Sequence, residues 1–500
     1  MEGFSNGFFL HFEGPARELE STNSQSALQL PNIVSQKLQQ EKLLGRIKGP
    51  SQNPPFPNFK SSPLALREKS EPGKYRLLHN LSYPYDENSV NYNIPQQSST
   101  THYSSVSDAT DLIQSMGRNC YLAKSDIADA FRIVPIHPSQ YHLTGFFWQG
   151  YYYDTCLPMG CSSSCAIFEQ ISSAIVWILA NHFNIRNVVK VLDDFLFVAQ
   201  TFSECQYMLS TFIAVCSDIG IPIAPHKTIS PTTHLTFLGI ALDTVAMEAR
   251  LPQDKLSSYR ADIFAVLQME KITLRELKSL IGKLQFSTCI IPSGRPFLRR
   301  LHDLTVQARK PFHFIRLTND TKQDLTTWIH FLQSFNGVTM IKPIHTSDSR
   351  SLHMHADASK WGFGATYGSN WLQCKWPESW ACLDITVLEL YPIFVLINIF
   401  GPKIANSKVI FHCDNLAIVH VINKQSSKSK PVMSVLRKLV LSLLHHKILL
   451  KAQHIPGSNN IICDYLSRQV AQSQKMLQFG MKPSPTSITT NLQPANFNWT

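Results

Sequence analysis

Residues 188–198 read VVKVLDDFLFV, and no other stretch constrains the fold of this chain as tightly. Adjacent aspartates, Asp193 and Asp194, sit between apolar, β-prone runs, which predicts a hairpin whose tight turn projects carboxylates from a buried sheet. Two like charges side by side repel, so the pattern is tolerated best with a cation bound. Taken alone, an Asp-Asp pair in a loop is more often just an ordinary exposed turn. Upstream, residues 123–136 (AKSDIADAFRIVPI) read as a strand that delivers Asp126 at its end and then turns into a short helical segment through Phe131. Carboxylates from two separate segments are what phosphoryl transfer asks for. Two Mg2+ ions, roughly 3.5 to 4 Å apart, stabilise the attacking 3′-oxygen and the leaving pyrophosphate and must be held between them.

A second set of acids lies in the C-terminal third. Residues 352–357 (LHMHAD) alternate as a strand ending in Asp357, Glu389 falls early in the apolar helix 385–400, and Asp414 ends the strand 409–413. Asp464 follows in a C-terminal helix, with His454 before it in a loop, HIPGSNN. Singly, each acid reads as a surface residue. As an ordered set with a mobile histidine they fit a two-metal hydrolase, in which the ions activate a water and the histidine helps product leave.

Five hundred residues exceed one ordinary core, so two or three domains are expected. Apolar residues at 44% and charged residues at 16% exclude a disordered or fibrous chain. No apolar run reaches the eighteen or so residues that span a bilayer, and the N-terminus lacks a basic start, so an intracellular protein of cytoplasm or nucleus, without membrane contact, is expected. The eleven cysteines are unpaired in spacing and read as reduced structural thiols.

The net charge of +11 becomes an argument about partners because it is localised. Residues 271–316 hold ten Lys or Arg against Glu276 and Asp303, and seven positive charges with no acid lie between Asp414 and Asp464. Within these runs Lys278, Lys283, Arg295, Arg299, Arg300, Lys428 and Lys430 are the candidate phosphate contacts. Thr273 and Glu276 form a capping box, after which Leu274, Leu277, Ile281 and Leu284 share one helix face. Residues 1–62, rich in Pro, Asn, Gln and Ser, are expected to be a loosely ordered extension with one helix near 33–44; residues 469–500 read as a polar tail.

The aspartates at 126, 193 and 194 stand in order with LPMG at 157–160, CSSSCAIFEQ at 161–170, the run 220–227 and FLG at 237–239. Together these segments resemble the successive motifs of reverse transcriptases. The resemblance implies that Asp126, Asp193 and Asp194 bind metal, that Lys69 and Arg76 hold the incoming triphosphate, and that Lys227 sits near the leaving group. It further implies that Phe131 abuts the sugar, that Met159 lies at the nucleotide site, and that Gly160 lets the backbone lie close to the templating base pair. Residues 350–468, with Asp357-Ala358-Ser359 and Asp414-Asn415, resemble the ribonuclease H domain, which implies metal binding by Asp357, Glu389, Asp414 and Asp464. The segment 282–304 and LSYP at 81–84 are similar to DIRS-like retrotransposon polymerases.

The expected architecture is an α+β right-hand polymerase, with fingers and palm at 63–245 and a helical thumb and connection at 246–345. An α/β ribonuclease-H-like domain follows at 350–468. The expected activity is DNA synthesis on RNA and DNA templates from dNTPs and a DNA primer, with two Mg2+ ions per site (or Mn2+ in their place), and cleavage of RNA in the RNA·DNA hybrid. Relatives of that kind also use a tyrosine recombinase, which would be encoded separately. The rival readings are a decayed or recruited copy that binds nucleic acid without catalysis, or one with nuclease activity only; the presence of all seven site acids favours catalysis.

Overall fold

The computed structural model describes residues 2–68, 73–336, 339–340, 345–348, 352, 354–380, 382–468 and 482–483. Lys69 and nearly all of the tail expected at 469–500 lie outside the described residues. Contacts divide the chain into two compact units, residues 1–246 and 247–500.

The first unit opens with helix α1 (Pro31–Leu43), strand β1 (Ile47–Ser51) and the antiparallel hairpin β2 (Leu64–Glu68) and β3 (Tyr75–His79). Next come β4 (Tyr121–Asp126), β5 (Gly145–Phe147), β6 (Tyr151–Asp154), α2 (Ser164–His182), β7 (Val188–Val191), β8 (Asp194–Ala199), α3 (Phe202–Asp218) and β9 (Ile229–Thr232). A four-stranded antiparallel sheet in the order β7-β8-β4-β9 carries the carboxylates. Helices α2 and α3 bury Phe168, Ile171, Met208 and Phe212 in one core with Phe195 and Phe197 of that sheet. The Phe195 and Phe212 rings lie 4.6 Å apart.

Residues 1–62, expected to be loosely ordered, are packed instead. Leu10, Ala27, Val34, Leu38 and Ile47 are buried, β1 pairs with β6, and the Phe8 and Ser24 amides donate to the Pro135 and Leu64 carbonyls at 2.8 and 3.0 Å. The sparse apolar residues of this segment find their partners on elements far along the chain, a match that composition cannot show.

In the second unit α4 (Gln253–Leu267), β10 (Lys271–Thr273), α5 (Leu274–Ser287), α6 (Arg299–Thr305), β11 (Phe314–Arg316) and α7 (Asn319–Ser334) form the expected helical region. The Thr273–Glu276 capping box is present, and Leu274, Leu277, Leu280, Ile281 and Leu284 are the buried stripe of α5. After β12 (His345–Asp348) come β13 (His355–Ala358), β14 (Gly362–Tyr367), β15 (Asn370–Lys375), α8 (Ile385–Phe400), β16 (Ser407–Cys413), α9 (Leu416–Lys424), α10 (Lys430–His445), β17 (Leu449–His454) and α11 (Ile461–Arg468). Strands β13, β14 and β15 are antiparallel, whereas β16 runs parallel to both β12 and β17.

Two helices separate β16 from β17. Gln425 in the left-handed region ends α9, and Ser429 with Pro431 starts α10. The segments on either side of the boundary expected near 345–350 lie in one compact unit, and Arg437 of α10 reaches buried Asp324 of α7 at 3.5 Å. By length and composition Ser164–His182 and Ile385–Ile404 could each cross a bilayer, contrary to the reading from run length. Both helices turn apolar side chains into a core.

Candidate active sites

The tight turn between β7 and β8 consists of Leu192 and Asp193, with Leu192 in the left-handed region at φ 53°. Helix α2 holds that strained residue from both sides. Buried Glu169 accepts from the Leu192 amide at 3.2 Å and ion-pairs with Lys190, while the Ser172 hydroxyl donates to the Leu192 carbonyl at 2.7 Å. The register then sets Asp194 directly opposite Asp126, and the Ile127 amide donates to the Asp193 carbonyl at 3.0 Å. The three aspartates of the sequence reading therefore meet at one end of the sheet.

Burial pushes the carboxyls of Asp126 and Asp193 above the usual carboxylate range, reinforced by their mutual repulsion and that of Asp194. The Lys227 ammonium offsets this, pairing with Asp126 at 2.7 Å; Lys124 pairs with Asp194 at 2.9 Å. An all-oxygen donor set that accepts cationic partners suits a hard divalent ion such as Mg2+. Lys124 escaped the sequence reading, although as residue i−2 of Asp126 on a strand it had to share its face.

Beside the aspartates is a cavity of about 540 Å3 lined by Arg76, Asp126, Met159, Asp193 and Lys227 among others. Its floor is an ion network. Arg132, its side chain 13% exposed, pairs with Asp154 at 2.7 Å and with Glu41 of α1 at 2.9 Å, and His79 lies 2.9 Å from Asp154. Burial pushes the Asp154 carboxyl up, but Arg132 and His79 outweigh it and hold it below the usual range. Arg46 closes the network onto Asp129 at 2.6 Å.

Phe131 is half-buried, its ring edge-on to Phe168 at 5.5 Å, and it is not among the residues that line the cavity although Ala130 and Arg132 are. At Gly160 a Cβ would lie 1.7 Å from the His79 carbonyl oxygen, so the loop packs directly on β3.

In the second unit the ligand atoms of Asp357, Glu389 and Asp414 lie within 4.8 Å of one another, the one such group among the described residues. Glu389 is placed by α8, Asp357 by β13, and Asp414 by the end of β16. Buried Asp414 Oδ1 has no hydrogen-bond partner among the described residues. Such an orphan is costly unless a cation completes it.

The structure does not draw Asp464 into this group. Its carboxylate pairs with Arg468 at 2.6 Å and is half-exposed. His454 is the last residue of β17, opposite Cys413, and not within the following loop. Burial, then Asp357 and Asp414, push Glu389 up to about 9; burial, with Asp414 and Asp464, pushes Asp357 up to about 6.

These shifts give a stability prediction for the cation-free protein. A carboxyl raised on folding binds its proton more readily folded than unfolded, so stability falls as pH rises between the two values, here from about 4.5 to about 9 for Glu389. In chelator, the melting temperature of the wild type is expected to drop steadily across that window. Mg2+ is expected to restore it and Glu389→Gln to flatten the profile; a level wild-type profile in chelator would refute the assignment.

The candidate phosphate contacts divide. Lys278, Arg295, Lys428 and Lys430 are exposed. Lys283 pairs with Asp262, Arg299 with Asp303 at 2.7 Å, and Arg300 with Asp320 and Asp324 at 3.3 and 3.2 Å. The last three are therefore engaged within the protein, with Arg300 helping to neutralise an aspartate that is 3% exposed.

A four-stranded antiparallel sheet that gathers three carboxylates at one end, beside a cavity lined by both basic and acidic side chains, is the arrangement of a polymerase palm. Residues 67–242 match the family described as reverse transcriptase (RNA-dependent DNA polymerase), and the chain is similar to retroviral Pol polyproteins. The chain is 27% identical over 318 residues to the Gag-Pro-Pol polyprotein of Human T-cell leukemia virus 3, covering 60% of this chain and 19% of that protein. It is 25% identical over 272 residues to the Pro-Pol polyprotein of Simian foamy virus type 1, covering 54% of this chain and 21% of that one. It thus spans about a fifth of the length of these viral relatives.

In fold it resembles the foamy viral protease-reverse transcriptase solved with an RNA/DNA hybrid, at a TM-score of 0.55 and 14% identity over 93% of this chain and 59% of that one. The same enzyme solved with double-stranded DNA gives 0.53 and 16% over 89% and 88%. The mixed α+β reverse transcriptase fold is shared.

Proposed function

We propose that this chain is an RNA- and DNA-directed DNA polymerase coupled to a ribonuclease H that degrades RNA in the RNA·DNA hybrid. The convergence of Asp126, Asp193 and Asp194 on one sheet end is the observation that carries it. When bound, a pair of Mg2+ ions would supply positive charge for the attacking 3′-oxygen and the leaving pyrophosphate, and these three carboxylates would hold them. Arg76 and Lys227, both at the cavity wall, would bind the triphosphate, as would Lys69, which lies outside the described residues. Glu169 and Ser172 fix the turn that aims the aspartates, and Arg132 fixes the segment that follows Asp126. In the second unit Asp357, Glu389 and Asp414 would hold the ions that activate a water, with Asp464 and His454 at the margin of the site. RNA template, DNA primer, dNTPs and the hybrid are the partners, and the cytoplasm or nucleus the setting.

A DIRS-like element with a separately encoded recombinase is our reading of its origin, supported by residues 282–304 and LSYP at 81–84. Extension of a DNA primer on an RNA template, with release of acid-soluble RNA from a labelled hybrid as a parallel assay, tests the function. Absence of both activities from well-folded protein with Mg2+ would overturn it.

Sugar choice gives a sharper test. Phe131 lies five residues after Asp126, and a rigid ring there would overlap a 2′-hydroxyl. Phe131→Val is expected to raise ribonucleotide over deoxyribonucleotide incorporation by about ten-fold or more. Its contact with Phe168 defines the alternative. A lower melting temperature with unchanged discrimination would make the ring a core residue and move the gate elsewhere.

A further inference from the structure

A two-stranded antiparallel ladder in the second unit exposes aromatic rings among unpaired cations. Strands β10 and β11 pair in the register Lys271↔Arg316, Ile272↔Ile315 and Thr273↔Phe314. Strand alternation buries Ile272 and Ile315 and turns Phe314 and Arg316 outward. Phe314 is 70% exposed, and Phe312, just before it, 67%. Lys310 Nζ stands 5.8 Å from the Phe312 ring centre. Across the ladder Lys271 faces Arg316, a like-charge pair that weakens the pairing.

Lys271, Arg309, Lys310 and Arg316 are all exposed, and none forms an ion pair among the described residues, in contrast to Lys283, Arg299 and Arg300 nearby. The backbone beneath is firmly held. The Leu274 and Arg275 amides donate to the His313 and Pro311 carbonyls, and the Leu317 amide to the Glu270 carbonyl, each at 2.9 Å.

We propose that this two-stranded ladder and its approach, residues 271–273 with 309–316, binds single-stranded nucleic acid, Phe312 and Phe314 stacking on unpaired bases while the four cations take the flanking phosphates. Cations without carboxylate partners, two of them opposed across a ladder, call for a polyanion. Exposed rings select its form. Bases in a duplex are already stacked and offer a ring nothing, whereas each unpaired base offers a free face. The proposal deepens the nucleic-acid-copying reading, yet it needs neither carboxylate site.

The test is fluorescence anisotropy on the full-length protein with a labelled oligo-dT, an abasic oligomer of equal length and a blunt DNA duplex. Phe312→Ala/Phe314→Ala is expected to weaken oligo-dT binding by about ten-fold or more, to leave duplex binding within about two-fold, and to be rescued by Trp at both positions. Wild type should bind the abasic oligomer as weakly as the variant binds oligo-dT. Lys271→Gln/Arg316→Gln should flatten the salt dependence for both ligands by roughly one unit of slope per lost contact. Equal affinity of wild type for abasic and dT oligomers, or equal losses on duplex and single strand, would overturn the proposal. So would an alanine variant that keeps oligo-dT binding but loses binding to phosphatidylserine vesicles, which would mark a membrane contact. Primer extension on the same samples reports separately on the polymerase reading.

Discussion

Asp194→Asn is expected to reduce primer extension by roughly a thousand-fold or more while hybrid cleavage stays within about two-fold of wild type. Asparagine keeps the volume and one acceptor oxygen but removes the charge that a divalent ion needs. Two features of the structure make the loss specific. Asp194 is the first residue of β8 and faces Asp126 across the ladder, so nothing in the core depends on its charge. Its ion-pair partner Lys124 is partly exposed and can return to water when the carboxylate is lost. Asp193→Asn should behave alike. A well-folded Asp194→Asn protein that still extends primers at the wild-type rate would remove this aspartate from the site.

The reciprocal loss is expected from Asp414→Asn and Glu389→Gln: hybrid cleavage down by about a hundred-fold or more, with extension preserved. Glu389 is buried and its carboxyl is raised by its neighbours, so glutamine should also stabilise the cation-free protein. Measured stability and measured cleavage should therefore move in opposite directions for this variant, a signature that general unfolding cannot imitate. If either substitution abolished both activities in a folded protein, the two centres would not be independent.

What could be read from the chain itself was local. The end-of-strand position of Asp126, the turn at Asp193, and the Thr273–Glu276 cap all follow from period and turn chemistry within a dozen residues, and the structure has each of them. What stayed hidden depends on pairs far apart in the chain. Glu169 looked like one acid in an apolar helix, and only the fold shows it holding the Leu192 amide. The Arg299–Asp303 pair has the i,i+4 spacing of one helix face and was open to view, whereas nothing local reveals that Asp320 and Asp324 neutralise Arg300. Residues 1–62 looked unstructured because their few apolar side chains are buried by segments that follow a hundred residues later, as Trp148 shows when its indole donates to Ser35 at 2.9 Å.

The network under the cavity has a consequence for where this protein can be cut. The family likeness begins at residue 67, and a fragment excised there would discard Glu41 and Arg46. Arg132 would lose one of its two carboxylates while remaining beside Asp154, and the surfaces that cover Val34 and Leu38 would open to water. The smallest portable fragment is therefore set by which buried groups would be stranded, and it must start upstream of Leu10, well before any recognisable motif.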